Sequence, residues 1–443
     1  MKAVFSDWEA FETNAPFLVT GGGEDVAARA NSSELNQYNK FLTVENAEAV
    51  DDMWKHLYRS INLCNAIVSK APEASELTAA QATMYEAQAR YLRAFDYFWL
   101  TRLWGEVLIV TTENQETVDE AVQSPVADIY DLIVADLQFA ETNLDPEYPG
   151  LALPTKGAAK ALLAEVYLNM AGWPMNDASK YALARDKAKE VMDMNMYSLE
   201  PNFGDLWLVA NKFTNSEFLF FFNGDGSNFG TSCKIHQCQR PSEEGGWSDV
   251  VSEVRFYEAF PEGPRKYWSF KEVFDDAANT NWRDSRLGVP IIWKYMDAGI
   301  GGSRHDGRSA SWGGDGFFPV SRYSEVLLIY AEAANMAEGG PSAAALEAIN
   351  KVRRRAGGFD QSVYADLPNG MSQSEFDDAV IAERAWELAF EGKRWFDLVR
   401  KEMVVEANID THPAVREYHR LLPKFGTDVR LIEGLTQNEG YPQ

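Results

Sequence analysis

The sequence predicts a mainly α-helical fold, in which tetratricopeptide-like helix hairpins form a scaffold and a large aromatic-rich insert carries loops. Apolar residues recur at helical spacing over about 45–197 and again over 322–400. A degenerate repeat, LLAEVYLNMA at 162–171 and LIYAEAANMA at 328–337, indicates that one type of hairpin occurs twice. Residues 198–320 hold 15 of the 31 glycines and six of the 13 tryptophans, which is typical of loops and short strands. Length alone would permit two or three domains. We predict scaffold helices at about 45–197 and 322–400, a loop-rich insert suited to ligand binding at about 198–320, and a C-terminal tail at 401–443.

Five helices are predicted before the insert. Ser124-Pro125 supplies an N-cap and a first-turn proline for the third of them. The second helix is apolar nearly all round, so it should lie at the centre of the scaffold. The predicted ranges are 47 to just before Pro72, 79–103, 125–143, 157–171 and 178–194.

The stretch 380–400 is predicted to form the last helical layer. Glu383, Glu387 and Glu391 stand four residues apart, so they share a helix face and repel one another unless cations intervene. The obvious cations are Arg384, Arg394 and the arginine run at 353–355. A pair of these carboxylates would also suit the acid and base of a glycoside hydrolase. We favour a buried ion network over that alternative.

Charge and composition exclude several classes of function. The chain has 443 residues, with 41 Lys and Arg against 67 Asp and Glu, which gives a net charge of −26. Such a surface repels the phosphates of nucleic acid and of anionic lipid, so no nucleic-acid partner is expected. No run of eighteen apolar residues occurs, and residues 1–20 lack the pattern of a signal peptide. Three cysteines, Cys64, Cys233 and Cys238, cannot build a disulfide framework.

Aromatic residues of the insert are candidates for sugar binding. The apolar face of a pyranose stacks on an aromatic ring, while amides and carboxylates bind its hydroxyls. The candidate rings are Phe229, Trp247, Trp282 and Trp312, with Asn223, Asn228 and Asp249 as polar neighbours. The alternative is that these rings form the core of the insert.

Metal and cofactor motifs are weak. Cys233, His236 and Cys238 have no fourth ligand at the spacing of a structural zinc site. The stretch 223–228, NGDGSN, resembles a calcium loop in composition but lacks the distal glutamate. No nucleotide-binding or nucleophile motif occurs. We expect no cofactor, with calcium at 223–228 as the remaining alternative.

Several blocks in order along the chain resemble the SusD/RagB family of outer-membrane nutrient-binding lipoproteins from Bacteroidetes. The blocks are EAQARYLRAFDYFWLTRLWGEVLIVT at 86–111, PTKGAAKALLAEVYLNMAG at 154–172, RYSEVLLIYAEAAN at 322–335, INKVRRRAG at 349–357, ERAWELAFEGKRWFDLVR at 383–400 and LTQNEGY at 435–441. Together they span most of the chain. The combination is therefore much more specific than any single block.

The resemblance implies a single domain over 1–443 with a SusD-like fold, and it implies a function. Members of this family bind oligosaccharide at the cell surface without catalysis and deliver it to a SusC-like TonB-dependent transporter in the outer membrane. They are held there by a lipid on an N-terminal cysteine, which we expect to lie outside this sequence together with the signal peptide. A peptide-binding member of the family is the first alternative, and a helical-toroid glycoside hydrolase is the second.

The resemblance also suggests site residues. Trp247, in Gly246-Trp247-Ser248, matches a tryptophan that lines the glycan site, and Phe229 matches an aromatic position. A third wall comes from 24–41, where the starch-binding founder of the family carries tryptophans. Here that stretch has no tryptophan and offers instead Arg29, Asn31, Asn36 and Tyr38. We therefore expect a smaller or more polar glycan than starch.

Overall fold

The computed structural model describes residues 15–28, 37–45, 47–112, 114, 117, 120–225, 233, 235–274, 278–297 and 314–442. The α-helices are α1 Ala15–Val19, α2 Glu48–Lys70, α3 Ala79–Trp104, α4 Val126–Asn143, α5 Lys156–Ala171, α6 Lys180–Asp193, α7 Ile235–Gln239, α8 Val254–Ala259, α9 Pro264–Ser269, α10 Tyr323–Glu338, α11 Ala343–Ala356, α12 Gln373–Glu387, α13 Arg394–Arg400, α14 Val404–Asn408 and α15 Gly426–Leu431. The strands are β1 Val26–Ala28, β2 Phe218–Asn223, β3 Val250–Ser252, β4 Phe270–Lys271, β5 Ile291–Ile292 and β6 Phe317–Arg322. Short 3₁₀ helices occupy Ala71–Glu73, Phe203–Trp207, Val209–Asn211, Ser242–Glu244, Trp282–Asp284 and Glu417–Arg420.

Helix α3 is the centre of the scaffold, as its composition predicts. Thr78 caps its first turn in a reciprocal capping box with Gln81, and Gly105 ends it with a φ of 71°. Nearly all residues of its second half are buried, because α2 packs on one side of it and α4 on the other. A helix without a polar face is stable only when neighbours cover it all round.

The scaffold continues as a stack of neighbouring helices. Helix α4 packs on α5, α5 on α6, and α6 on α10. Helices α6 and α10 are therefore in contact although the insert separates them in the chain. Ser342 and Ser372 cap α11 and α12 by accepting backbone N–H bonds, which fixes where the last layers begin.

The insert begins and ends at one antiparallel ribbon. Strand β2 pairs with β6, so that Phe218 faces Arg322 at one end and Asn223 faces Phe317 at the other. The β-rich FLFFF stretch supplies most of β2, and its rings are buried against the scaffold. Two further short ribbons are present: β1, which precedes α2, pairs with β3 of the insert, and β4 pairs with β5 within the insert.

The C-terminal residues fold back on the first hairpin. The indole Nε1 of Trp54 donates to Asp428 (2.8 Å), and that of Trp104 donates to the carbonyl of Pro423 (2.9 Å). Buried tryptophans usually need such a partner for the indole N–H. Across the ranges given above, no helix has both the length and the apolar character that crossing a bilayer requires.

Candidate functional site

Three stretches of the chain near the predicted site lie outside the described residues. We call them segment A (29–36), segment B (226–232) and segment C (298–313). Five predicted site residues fall in them: Arg29, Asn31 and Asn36 in segment A, Phe229 in segment B and Trp312 in segment C. Asn228 of the 223–228 motif also lies in segment B. The described residues show how the ends of these segments are held.

Trp247 stands on a turn whose backbone is fixed on both sides. Its N–H donates to the carbonyl of Gln237 (2.9 Å), and the N–H of Ser248 donates to the carbonyl of Arg240 (3.0 Å). At Gly246 a β-carbon would lie 2.2 Å from the Arg240 carbonyl oxygen, so no larger residue fits there. The indole of Trp247 is half-buried. Its position is thus set by short-range backbone contacts.

The residues next to segment A lie beside this turn. Ala28, the last described residue before segment A, pairs with Val250 in the β1–β3 ribbon. Val250 is three residues after Trp247. Asp25, which precedes β1, accepts a hydrogen bond from the N–H of Phe390 (2.8 Å) and so ties this ribbon to the scaffold.

The residues next to segments B and C lie beside each other. Cys233 and Gly314 exchange two backbone hydrogen bonds of 2.9 Å, and the N–H of Gly224 donates to the carbonyl of Gly316 (2.8 Å). Helix α7 starts two residues after Cys233, and its Gln237 is the partner of the Trp247 turn. One described end of each segment is therefore connected to the Trp247 turn, Ala28 through Val250, and Cys233 and Gly314 through α7. We call this arrangement the loop frame.

Lys212 joins two parts of the loop frame, and sequence reasoning missed it. Its ammonium group donates to the carbonyls of Gly224 (3.2 Å) and Asp315 (2.6 Å). The side chain is almost fully buried, and burial lowers the pKa of Lys212. No periodicity or motif marks this lysine, because its partners are main-chain atoms of residues far along the chain.

Three predicted site residues lie within the described ranges, and they differ in exposure. Trp247 is half-buried, whereas Tyr38 and Trp282 are 6% and 3% exposed. The hydroxyl of Tyr38 accepts the N–H of Ala49 (2.8 Å) in the first turn of α2. The ring of Trp282 packs edge-on against Tyr257 and lies under the Arg283 guanidinium. Tyr38 and Trp282 therefore contribute to packing behind the surface.

Two family models match the chain. The one described as "SusD family" matches residues 265–441, and the one described as "Starch-binding associating with outer membrane" matches residues 13–168. The SusD-like protein P2 of Formosa agariphila is 29% identical over 454 residues, which cover 96% of this chain and 87% of the relative. The chain belongs to the SusD/RagB family. The resemblance seen in the sequence blocks is confirmed.

Solved structures confirm the fold of this SusD-family protein. A SusD superfamily protein from Parabacteroides distasonis superposes with a TM-score of 0.84 at 23% identity, over 99% of this chain and 98% of that one. Surface glycan-binding protein A from Bacteroides thetaiotaomicron, solved in complex with laminarihexaose, gives 0.79 at 20% identity, over 99% and 97%. The predicted mainly α, SusD-like fold is therefore correct.

The glutamates that suggested a hydrolase lie inside the SusD-family scaffold. Glu383, Glu387 and Glu391 are 1%, 0% and 3% exposed, and Glu217 joins them from the insert. Their ion pairs are Glu383 with Arg265 (2.6 Å) and Arg353 (3.0 Å), Glu387 with Arg265 (3.0 Å), Arg322 and Arg355, Glu391 with Arg322 (2.8 Å) and Lys294 (2.9 Å), and Glu217 with Arg322 and Arg355 (both 2.8 Å). We call these nine residues the glutamate cluster. Its carboxylates have no surface on which a polysaccharide could lie.

The prediction of an ion network is confirmed, and Arg353 and Arg355 are among its cations. Three predicted cations were wrong, because Arg354 pairs with Glu347 and Asp366, and two others also pair elsewhere. Arg384 pairs with Asp397 (2.8 Å) and Arg394 with Glu24 (2.6 Å), outside the glutamate cluster. The expected helical stripe was also wrong at one end, because α12 ends at Glu387. Glu391 reaches the cluster through a turn in which Phe390 has a φ of 65°.

The cysteine motif of the insert is buried. Cys233 and Cys238 are free thiols, as is Cys64. Burial, with a smaller effect of the nearby Arg240, lowers the pKa of His236 to about 4, so this histidine is neutral at physiological pH. In the part of the chain that the structure describes, no three His, Cys, Asp or Glu residues are grouped as metal ligands. The calcium hypothesis at 223–228 extends into segment B and stays a prediction.

Proposed function

We propose that this protein binds an oligosaccharide over the Trp247 turn at the cell surface and passes it to a SusC-like TonB-dependent transporter without chemical change. The observation that carries the proposal is the loop frame: one described end of each of three separate segments is connected to the turn that holds a half-buried tryptophan. A platform that is ordered before binding loses little conformational entropy when the ligand arrives. Loops on a rigid scaffold are also where binding residues most often lie.

The proposed binding set extends the Trp247 platform with the side chains of the three segments. Phe229 and Trp312 would add aromatic faces, and Arg29, Asn31 and Asn36 would bind hydroxyl groups. Tyr38 and Trp282 would support the site by packing behind it, because both side chains are buried. The relative solved with laminarihexaose and the starch-binding description of one family model favour a glycan as the ligand.

The proposal includes the rest of the family arrangement. One SusD-like domain would use the helices of 45–197 and 322–400 as its scaffold and the insert of 198–320 as its binding half. An N-terminal lipid anchor would hold it on the outer membrane. The family model described as "Starch-binding associating with outer membrane" favours that location. We propose a non-catalytic role because the carboxylates that suggested a hydrolase are buried and form ion pairs with the surrounding cations.

Replacing the platform tests the proposal. Calorimetric titration would compare wild type, Trp247→Ala and Trp247→Phe against a panel containing laminarihexaose, maltohexaose and acidic oligosaccharides. Truncation of a central aromatic contact typically costs about 2 kcal/mol, or about thirtyfold in Kd. Phe359→Ala is the matched control, since that ring is 61% exposed and lies outside the loop frame.

Three results are informative. A large loss with Trp247→Ala and partial rescue by Trp247→Phe would support stacking. Unchanged affinity in a folded Trp247→Ala protein would remove this site. Binding of a peptide pool by wild type, with no glycan of the panel bound, would favour the peptide-binding alternative.

A further inference from the structure

A cavity in the insert lies outside the candidate site and is linked to it by one ion pair. It has a volume of about 380 Å³ and lies between the start of α9 and the β4–β5 ribbon. That volume is within the usual range for sites that take small molecules. Neither the family resemblance nor the Trp247 site accounts for it.

The lining combines an aromatic platform with polar groups. Tyr267 is 66% exposed at the cavity, and its ring rests edge-on against Trp268 (5.4 Å between centroids). A tyrosine this exposed gains little from burial, so its ring is available to a ligand. Phe270 and Trp293 line the cavity further in and are buried.

The charged groups that line the cavity balance in number, with Lys266 and Lys271 against Glu262 and Glu272. Lys266 donates to Glu262 (2.6 Å), and Glu272 accepts from the hydroxyl of Tyr257 (2.6 Å). An ammonium group has three N–H donors and a carboxylate has about four acceptor sites, so both groups retain capacity for hydroxyls. A ligand with its own net charge would have to compete with these pairs. The lining therefore suits a neutral, hydroxyl-rich molecule.

An ion pair connects the cavity with the candidate site. Lys271 lines the cavity, lies over the ring of Trp293 (4.5 Å) and pairs with Glu244 (2.7 Å). Glu244 is three residues before Trp247, and three residues of chain span at most about 11 Å. One oligosaccharide is long enough to lie on Trp247 and reach the cavity.

We propose that this cavity is a second subsite for the same ligand, in which Tyr267 stacks on a distal sugar of a neutral oligosaccharide. The inference rests on the proposed function, because it assumes that the first sugars lie on Trp247. It adds a requirement that the Trp247 platform alone would not impose. Affinity should rise with chain length until the ligand fills both subsites.

The test is a chain-length series with Tyr267→Ala. Neutral laminari- and malto-oligosaccharides of two to six units would be titrated into wild type, Tyr267→Ala, Trp247→Ala and the exposed-aromatic control Phe359→Ala. We expect Tyr267→Ala to bind the hexasaccharide about tenfold more weakly, as loss of one stacking contact of about 1.4 kcal/mol implies. Its affinity for the disaccharide should change less than about twofold. Tyr267 is exposed, so thermal unfolding should show an unchanged Tm.

The outcomes separate the two proposals. If Trp247→Ala loses binding while Tyr267→Ala behaves like Phe359→Ala at every length, the second subsite is refuted and the proposed function stands. If wild type binds acidic glycans or peptides but no neutral hexasaccharide, the neutral second subsite is refuted, and the panel with Trp247→Ala decides the first site. Equal loss for disaccharide and hexasaccharide in Tyr267→Ala would also refute a distal position.

Discussion

Replacing Glu387 by alanine should greatly lower the free energy of unfolding. The ligand affinity of the molecules that remain folded should stay nearly unchanged. The carboxylate is fully buried and accepts hydrogen bonds from Arg265, Arg322 and Arg355. In the glutamate cluster, five cations face four carboxylates, so Glu387→Ala adds to an existing excess of positive charge. The three guanidinium groups would then repel one another in a region that water does not reach.

The expected cost follows from the burial of the partners. Breaking a buried ion pair by removing one partner costs about 3–5 kcal/mol, out of a total stability of about 5–15 kcal/mol for a typical domain. Pairing with the three arginines outweighs burial and holds the pKa of Glu387 well below its usual range. A carboxylate with a lowered folded-state pKa stabilises the fold above its unfolded-state pKa, and this contribution is lost as the pH falls through the folded-state value. The difference between wild type and Glu387→Ala should therefore be largest near neutral pH and shrink in acid.

Urea unfolding at pH 7, followed by tryptophan fluorescence, measures this cost. The matched control is Glu347→Ala, which removes a carboxylate that is 48% exposed and pairs with Arg354. Exposed pairs contribute at most about 1 kcal/mol. A cost for Glu387→Ala within about 1 kcal/mol of the control would refute the argument. Loss of glycan binding by a well-folded Glu387→Ala protein would instead reopen a ligand or catalytic role.

Two further predictions concern the groups that hold the loop frame. Lys212→Met keeps the side-chain length but removes both hydrogen bonds to the Gly224 and Asp315 carbonyls. Calorimetric titration should show glycan binding weakened about tenfold, whereas the control Lys187→Met, at a scaffold ion pair, should leave the affinity unchanged. Equal affinities for the two variants would mean that Lys212 does not order the site. Burial raises the pKa of Asp25 to about 6, so the folded chain holds this proton more tightly than the unfolded chain and wild-type stability should fall by up to about 3 kcal/mol as the pH rises from 4 to 7.5. The Asp25→Asn side chain cannot titrate, so its free energy of unfolding, measured with urea at both pH values, should lack this decrease. If wild type and Asp25→Asn lose the same stability between the two pH values, Asp25 does not titrate near pH 6.

Helix positions were readable from the sequence because they depend on local pattern. The range 79–103, apolar nearly all round, predicted a central helix, and α3 occupies Ala79–Trp104 at the centre of the scaffold. Ser124-Pro125 and the proline-rich turn before α5 likewise gave boundaries within a few residues. Caps and periodicity involve neighbours three or four residues apart, which a single sequence displays directly.

Ion-pair partners were only partly readable: Arg353 and Arg355 were expected beside the glutamates, but the other cations are set by the packing of distant segments. Arg265 and Arg322 meet Glu387 from 122 and 65 residues away, through the insert and the end of β6. Lys212 is similar, since its partners are carbonyls 12 and 103 residues along the chain. Trp247 was predicted as a site residue from the aromatic residues of the insert and from a family resemblance, whereas the backbone contacts that fix its turn were visible only in the structure.

The β2–β6 ribbon explains why stability and binding should separate in Glu387→Ala. Arg322 ends β6 inside the glutamate cluster, whereas Asn223 ends β2 next to the loop frame. The five steps of about 3.3 Å along the six-residue strand put these ends roughly 17 Å apart, far beyond the reach of an ion pair or hydrogen bond. The cluster therefore fixes where the ribbon starts but makes no direct contact with a neutral sugar at its far end. Weakening the cluster should lower the fraction of molecules that have the loop frame at all, while each molecule that has it presents Trp247 in the same place.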